Sequence, residues 1–214
     1  MNVLVTTGPS YEPIDEVRRL TNFSTGELGV LLANQLAAAG FQVDCLRGEA
    51  ATFPGPLVGS RHLPFTTNDD LLRQLTGLSE SKTVHAIFQV AALCDFKVKQ
   101  ALDDSGAAAS SAKIESRGGG LTLHLEPAAK VIRELRRLFP AARIVGWKYE
   151  LAGTRSEALA KAWRQIRENR TDACVLNGRA WGDGFAFCTP PDRVDEIHGK
   201  SELALFLLEW LKSK

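Results

Sequence analysis

The stretch Thr21–Gly29, TNFSTGELG, joins a polar, glycine-bearing loop to the apolar helical pattern Val30–Ala39. An apolar strand-like run, Val3–Thr6, and a turn, Gly8–Ser10, precede it. A strand, a glycine-bearing loop and a helix N-terminus together form a ready anion site. The free backbone N–H groups and the positive end of the helix dipole both point to that spot. We therefore expect a bound anionic group where this helix begins.

Strand-like runs and helical patterns alternate along the rest of the chain. Predicted strands are Val3–Thr6, Phe41–Leu46, Val84–Ala91, Leu121–Leu125, Arg143–Trp147 and Ala173–Leu176. Predicted helices are Gly26–Ala39, Asp69–Leu78, Pro127–Leu138, Arg155–Asn169 and Lys200–Lys212. This alternation predicts one domain over residues 1–214, a Rossmann-like three-layer α/β/α fold with a mainly parallel sheet. Because ligands of such sheets bind beyond the carboxyl ends of the strands, the loops after Thr6, Ala91, Trp147 and Leu176 are expected to carry function.

Composition narrows the function classes. The 214 residues include 26 basic and 25 acidic side chains, a net charge of +1, so no basic field favours nucleic acid or a membrane as a partner. None of the four cysteines lies within four residues of another, which excludes a CxxC metal or redox pair and favours small buried side chains. No apolar stretch is long enough to span a bilayer. We expect a reduced, cytoplasmic protein.

The segment Gln100–Gly120 interrupts the alternation. It is rich in Gly, Ala, Ser and Asp and is too long for a packed connector. We expect a mobile loop at about residues 97–120. Two interpretations remain open: a surface loop without a role, or a lid that carries Lys113 over a ligand.

The first loop has neither standard nucleotide fingerprint, since G-x-G-x-x-G and G-K-[ST] are both absent. Ser24 and Glu27 match an S-x-x-E capping box, so Ser24 either caps the helix or donates its hydroxyl to a phosphate. Gly26 and Gly29 make a poor helix start, which suggests that something approaches the backbone there. Asn22 is a turn former by type, but its amide also offers a donor and an acceptor to a ligand.

Three further positions have both a structural and a functional interpretation. Asp95 caps a turn, accepts from a sugar hydroxyl or supports Mg²⁺ through water. Trp147 is either a core residue or a surface on which a base stacks. A run of basic residues spaced by three, which includes Lys161 and Arg164, is either a solvated face or a phosphate-facing stripe.

Taken in series, these loops resemble the phosphopantothenoylcysteine synthetase (phosphopantothenate–cysteine ligase) family, the ligase half of the bacterial coenzyme A flavoprotein. The first block is Gly8-x-x-x-Glu12-Pro13-Ile14-Asp15-x-Val17-Arg18 followed by Asn22-x-Ser24-x-Gly26-x-x-Gly29. The later pieces, in order, are Ala91-Ala92-x-x-Asp95-Phe96, Lys113-Ile114, Leu121-Thr122-Leu123 with Pro127 and Lys130, Val145-Gly146-Trp147-Lys148-x-Glu150, and Asp172-x-x-x-x-Asn177. The resemblance spans nearly the whole chain.

The resemblance implies a ligase that joins 4′-phosphopantothenate and cysteine through an acyl-nucleotidylate, with CTP or ATP as the nucleotide, Mg²⁺, and a homodimeric assembly. It implies that Asn22 holds the acyl intermediate and that Lys113 neutralises the charge developing during transfer. The nucleotide-binding residues that it implies are Gly8, Ser24, Thr25, Gly26, Ala91, Asp95, Pro127, Lys130, Trp147 and Arg164. The flavin-binding half of the family's bifunctional proteins has no counterpart in these residues, so no flavin is expected.

Departures from the family pattern motivate a second hypothesis. The first loop reads Gly8-Pro9-Ser10-Tyr11 instead of Gly-Gly-Thr, and Ser116 and Glu168 stand where lysines are usual. The alternative is a non-catalytic or divergent homologue that binds a nucleotide or a phosphopantetheine-like ligand. A third reading, an NAD-dependent reductase, is weak because G-x-G-x-x-G and a Tyr-x-x-x-Lys pair are both missing.

Overall fold

The computed structural model describes residues 1–109, 112–115 and 119–213. The strands are β1 Asn2–Thr7, β2 Tyr11–Pro13, β3 Arg19–Thr21, β4 Gln42–Gly48, β5 Arg61–Phe65, β6 Ala86–Gln89, β7 Phe96–Leu102, β8 Thr122–Pro127, β9 Arg143–Tyr149, β10 Ala173–Asn177, β11 Phe185–Thr189 and β12 Arg193–Ile197. The helices are α1 Glu27–Ala38, α2 Asn68–Ser81, α3 Val131–Leu138, α4 Arg155–Asn169 and α5 Lys200–Lys212.

The central sheet has the order β12-β11-β10-β9-β6-β1-β4-β5. The strands from β5 to β10 across it run parallel, and β11 and β12 add an antiparallel hairpin at one end. The chain moves outward from β1 through β4 to β5, then returns to the other side of β1 with β6. This reversal makes a topological switch point between β1 and β6, where open α/β sheets bind their ligands.

Helices cover both faces of the sheet, as the alternation of side chains along each strand requires. Val3 and Val5 of β1 pack with α1 and α5 on one face. Leu4, between them, packs with α2 and α3 on the other, and α4 covers the same face near β10. The predicted Rossmann-like three-layer fold with a mainly parallel sheet is confirmed.

Two predicted boundaries were wrong. Pro127 ends β8, where it pairs with Phe96, and α3 begins only at Val131. A proline that ends a strand in a two-stranded hairpin needs no N–H for a further ladder bond. The expected loop also begins later, because Phe96–Leu102 forms β7, antiparallel to β8. Among the described residues, no helix is long and apolar enough to cross a bilayer.

Candidate active site

A cleft of about 1360 Å³ opens at the switch point, across the carboxyl ends of the parallel strands. The loops that follow β6 and β9 contribute to its lining, as the sequence predicts, whereas β1 and β10 contribute their last residues, Thr7 and Asn177. Two helix starts, those of α1 and α3, and one side of α4 complete the walls. The fold therefore brings together residues from distant parts of the chain in one cavity large enough for a nucleotide.

The α1 N-terminus differs from the predicted capping box. Gly26, in the left-handed region at φ 82°, is the N-cap residue and has no side chain to cap the helix, and the Thr25 Oγ1 accepts from the Glu27 N–H at 3.3 Å. The Glu27 carboxylate pairs with Lys200 of α5 instead of reaching back to Ser24. The capping role predicted for Ser24 is therefore wrong. Ser24 and Thr25 line the cleft ahead of the helix, where a hydroxyl can face a ligand.

The glycines of this region serve the packing of the protein itself. A Cβ on Gly29 would lie 2.2 Å from the Thr7 Oγ1, and one on Gly8 would lie 2.7 Å from the Ala51 Cβ. A Cβ on Gly26 would have more room, at 3.1 Å from the Ala51 Cβ and 3.2 Å from the Gly8 Cα. The atoms that closely approach the backbone of these glycines thus belong to strand β1 and to the loop that contains Ala51. Gly8, predicted to bind the nucleotide, is not among the residues that line the cleft.

Asn22 ties two loops of the cleft together. Its Nδ2 donates to the carbonyl of Leu93 at 2.9 Å and to that of Ala92 at 3.3 Å. The amide therefore spans from the segment before α1 to the loop after β6, and its Oδ1 is the atom left to accept from a ligand. Phe23, beside it, is fully exposed at the mouth of the cleft.

Asp95 and Lys130 form an ion pair at the rim, where the loop after β6 meets the start of α3. The Asp95 side chain is 73% exposed and that of Lys130 40% exposed. Exposed pairs of this kind contribute little to stability. Both side chains can therefore exchange their mutual contact for a ligand.

On the α4 side, Glu150 is held between two lysines. Burial raises the pKa of the Glu150 carboxyl, but hydrogen bonds and charge from Lys161 and Lys148 outweigh burial, and the net pKa is lowered. α4 begins with a complete capping box, in which Thr154 and Glu157 bond each other's backbone N–H. Its face then presents Lys161 and Arg164 to the cleft.

The basic stripe predicted on α4 is therefore only half correct. Arg167 and Arg170, the next two members, do not line the cleft. A spacing of three falls about 60° short of a full turn each time in a helix with 3.6 residues per turn. Successive members consequently rotate away from the cavity.

The cleft contains most of the predicted site residues. Those that line it are Asn22, Ser24, Thr25, Gly26, Ala91, Asp95, Lys130, Trp147 and Arg164. Pro127 instead lines a neighbouring pocket of about 460 Å³ beside Ala128 and Lys130. Lys113 is not among the lining residues of the cleft.

Lys113 sits on the segment 112–115, which is docked on the turn between β2 and β3. The N–H of Glu16 donates to the Ala112 carbonyl at 3.0 Å, and that of Ile114 donates to the Asp15 carboxylate at 3.1 Å. Hydrogen bonding by Arg18 holds the pKa of Asp15 well below its usual range. Ser116, where the family usually has lysine, lies outside the described residues.

Residues 1–201 match the family described as DNA/pantothenate metabolism flavoprotein C-terminal domain. The chain belongs to this family. It is 31% identical over 175 residues to the coenzyme A biosynthesis bifunctional protein CoaBC of Thermococcus kodakarensis, covering 82% of this chain and 40% of that protein. The chain spans about half the length, or less, of the curated relatives it matches.

Solved structures agree in fold. The DNA/pantothenate metabolism flavoprotein from Streptococcus pneumoniae superimposes with a TM-score of 0.87 at 25% identity, covering 100% of this chain and 99% of that one. A Cab2 mutant in complex with phosphopantothenate-cysteine gives a TM-score of 0.74 at 19% identity, covering 99% and 87%. The predicted family resemblance is confirmed.

In this member of the flavoprotein C-terminal domain family, the sequence interpretation missed several lining residues. They include Asn68, Gln89 and Lys200, and Glu150 was part of the family motif without an assigned role. Gln89 had a signal, since it is a polar residue at the end of an otherwise apolar strand. Lys200 had none, because α5 reaches the cleft only through the fold and its contact with α1.

Six basic and four acidic side chains line the cleft, so its charge suits a polyanion. In the ranges that the structure describes, no three His, Cys, Asp or Glu side chains cluster to hold a metal ion. These residues fit a Mg²⁺ ion that is held mainly by phosphates and water, with one carboxylate such as Asp95 in support.

All four cysteines are buried and free. Burial raises the pKa of each thiol, to about 12 for Cys45 and Cys188. Thiols with raised pKa values are unreactive. The prediction that they are small buried side chains is confirmed.

Proposed function

We propose that this chain catalyses the ligation of 4′-phosphopantothenate with cysteine at the expense of a nucleoside triphosphate. The observation that carries the proposal is a polyanion-sized, net basic cleft at the switch point of a domain of this family. The relatives named for coenzyme A biosynthesis and the phosphopantothenate-cysteine complex of Cab2 support the choice of substrates.

The reaction has two steps. A carboxylate oxygen of 4′-phosphopantothenate attacks the α-phosphorus of CTP or ATP, and pyrophosphate leaves. The amine of cysteine then attacks the acyl carbon, and the nucleoside monophosphate leaves with the oxygen that it received. Transfer of this kind depends largely on positioning and on neutralising the charge of the phosphates.

The phosphates have two sources of positive charge in the cleft. The α1 N-terminus offers backbone N–H groups beside Ser24, Thr25 and Gly26. Lys161 and Arg164 of α4 approach from the opposite wall. Mg²⁺ bound to the triphosphate would lower its charge further. We keep CTP and ATP as alternatives, because nothing in the lining reads one base alone.

Asn22 and Lys113 keep the roles that the family resemblance implies. The anchored amide of Asn22 would hold the acyl intermediate with its Oδ1, next to the Ala92–Leu93 backbone. Lys113, on the docked segment 112–115, would supply its charge only if that segment moves towards the cleft. Asp95 would bind the ribose, Lys130 the nucleotide beside it, and Trp147 would lie near the base.

We also propose a homodimer that works in the cytoplasm. Exposed apolar side chains occur on both small hairpins, with Val17 63% and Phe96 51% exposed. The two hairpins touch through β2 and β7. Four reduced, buried thiols fit a reducing compartment.

A steady-state assay tests the ligase proposal. The purified chain is mixed with 4′-phosphopantothenate, cysteine, Mg²⁺ and either CTP or ATP, and pyrophosphate and nucleoside monophosphate are measured. We expect equal release of both products with at least one nucleotide, dependent on both acceptor substrates. Nucleotide binding without any release would instead support the non-catalytic homologue.

A further inference from the structure

Gln89, at the carboxyl end of β6, is the buried polar side chain that the fold leaves unsatisfied at the switch point. It is 5% exposed, and neither its Nε2 nor its Oε1 has a hydrogen-bond partner. It also belongs to the lining of the cleft. An amide buried without partners is costly, and such groups in native proteins call for an explanation.

The sheet register fixes the side of the sheet on which Gln89 lies. Ile87 packs in the cluster with α2 and α3, whereas Phe88 packs in the cluster with α1 and α5. Because side chains alternate along a strand, Gln89 faces the α2 and α3 side. The α1 N-terminus lies on the other side of the sheet. A ligand lying across the strand ends would reach both sides of the sheet.

The residues that can be placed beside Gln89 are uncharged. Thr6 of β1 pairs with Gln89. On β9, Gly146 lies beside Gln89, one residue beyond the last pair between β6 and β9. Ile132 and the amide of Gln165 stand over Gly146, which has no side chain of its own. Gln165 is anchored, with its Nε2 donating to the Trp147 carbonyl at 3.2 Å. Arg164 is exposed, and the Lys130 side chain is 40% exposed.

We propose that the Gln89 amide contacts the base of the bound nucleotide; this rests on the nucleotide-dependent function proposed above. A base edge carries a ring acceptor beside an amino donor, which complements an amide that has both. Phosphates would instead seek the helix N-terminus and the cationic side chains. Among the described residues, no hydrogen-bond partner fixes the orientation of the Gln89 amide. The amide can therefore flip, and it fits the corresponding edges of both cytosine and adenine.

The test uses Gln89→Leu, with Gln89→Met as a second apolar variant of similar volume and straighter shape. We expect the affinity for CTP or ATP, whichever the wild-type chain binds, to fall about 10-fold with the loss of two hydrogen bonds. Affinity for inorganic tripolyphosphate, which has no base, should stay unchanged. Without ligand, both variants should melt about 2–4 °C higher, because two unsatisfied polar atoms are removed.

Thr171→Val is the matched control. The Thr171 Oγ1 is also buried without a partner, at 5% residue exposure, but Thr171 does not line the cleft. This variant should also melt higher while nucleotide affinity stays that of the wild type.

Unchanged nucleotide affinity in both Gln89 variants would overturn this inference and leave the proposed function intact. An equal loss of tripolyphosphate affinity would overturn it too, since the contact would then be with phosphates. Lower melting temperatures in both variants would mean that the free protein already satisfies the amide. Absence of nucleotide binding by the wild-type chain would overturn the proposed function, and this inference with it.

Discussion

At the scale of single residues, Asn22 carries the sharpest functional expectation. Its Nδ2 holds two backbone carbonyls, so Asn22→Asp replaces a donor with a negative charge beside Ala92 and Leu93. We expect turnover to fall about 100-fold while nucleotide affinity is largely kept, because a side chain repelled by these carbonyls no longer positions its oxygen on the acyl group. Steady-state kinetics and calorimetric binding measure the two quantities separately.

Asn34→Asp is the control for Asn22. Asn34 also ties two segments together, donating to the Pro56 carbonyl at 3.0 Å and accepting from the Val58 N–H at 2.8 Å, away from the cleft. Its substitution should leave turnover unchanged. Normal turnover in Asn22→Asp would remove Asn22 from the catalytic machinery.

Gly29 tests the packing explanation of the first loop. In Gly29→Ala the new methyl group would lie 2.2 Å from the Thr7 Oγ1, so we expect a loss of about 1–3 kcal/mol in the free energy of unfolding. Gly77→Ala, within α2 and with nothing within 4 Å of its Cβ, should instead gain roughly 0.5–1 kcal/mol. Urea denaturation distinguishes the two signs. Equal stability of Gly29→Ala and the wild type would refute the explanation.

Sequence reasoning at this scale was right about residue types and wrong about some reasons. It identified Gly26 and Gly29 as unusual for a helix start, but it explained them by a ligand that approaches the backbone closely. The approach of Thr7 is a tertiary contact, which no local pattern encodes. The Ser24 capping box failed for a related reason, because Lys200, far along the chain, takes the Glu27 carboxylate.

At the scale of elements, the segment 112–115 and the β2–β3 turn form one unit through Asp15. Asp15→Asn removes the negative charge, which weakens the hydrogen bonds that Asp15 accepts from Arg18 and from the Ile114 N–H. We expect faster hydrogen exchange at Ile114 and Glu16, measured by mass spectrometry. Asp103→Asn, whose carboxylate accepts from Ser105 and Ala107 within its own turn, should leave these amides unchanged. Unaltered exchange in Asp15→Asn would contradict the docking role.

The same contact has a defined pH dependence. Because Arg18 lowers the pKa of Asp15 in the folded protein, the ionised carboxylate stabilises the docked segment. That contribution is fully present above the ordinary Asp value of about 3.9 and is lost as the pH falls through the lowered folded value. Docking should therefore be constant across neutral pH.

Long, periodic elements could be predicted from the sequence, whereas short paired ones could not. α4 and α5 begin and end where their patterns predict, at Arg155–Asn169 and Lys200–Lys212. The start of α3 was misplaced because Pro127 and Phe96 pair across a hairpin. Pairing between distant short strands depends on contacts that hydrophobic periodicity does not report.

At the scale of the whole molecule, the homodimer is open to a direct test. Sedimentation should give twice the 23.3 kDa mass of the chain. Phe96→Ser, on β7, should shift the equilibrium towards the monomer, since it removes exposed apolar surface from the proposed interface. Leu205→Ser, an equally exposed apolar residue on α5, should leave the dimer intact. A wild-type monomer would refute the assembly.

The position of the cleft could also be predicted, because a doubly wound sheet creates its switch point by strand order alone. Its individual lining could be predicted only in part. Gln89 and Glu150 enter through register and through ion pairs that bridge different elements. Lys113 was expected on a lid or on a surface loop without a role, and the segment that carries it is bound to a separate hairpin.

The central claim is that the carboxylate of 4′-phosphopantothenate is activated on the α-phosphorus of the nucleotide within this cleft. The most direct measurement follows ¹⁸O from the labelled carboxylate during a complete turnover with cysteine. The proposed chemistry predicts one ¹⁸O in the nucleoside monophosphate and one in the amide product. Label in inorganic phosphate, with release of the nucleoside diphosphate, or monophosphate without label would contradict it.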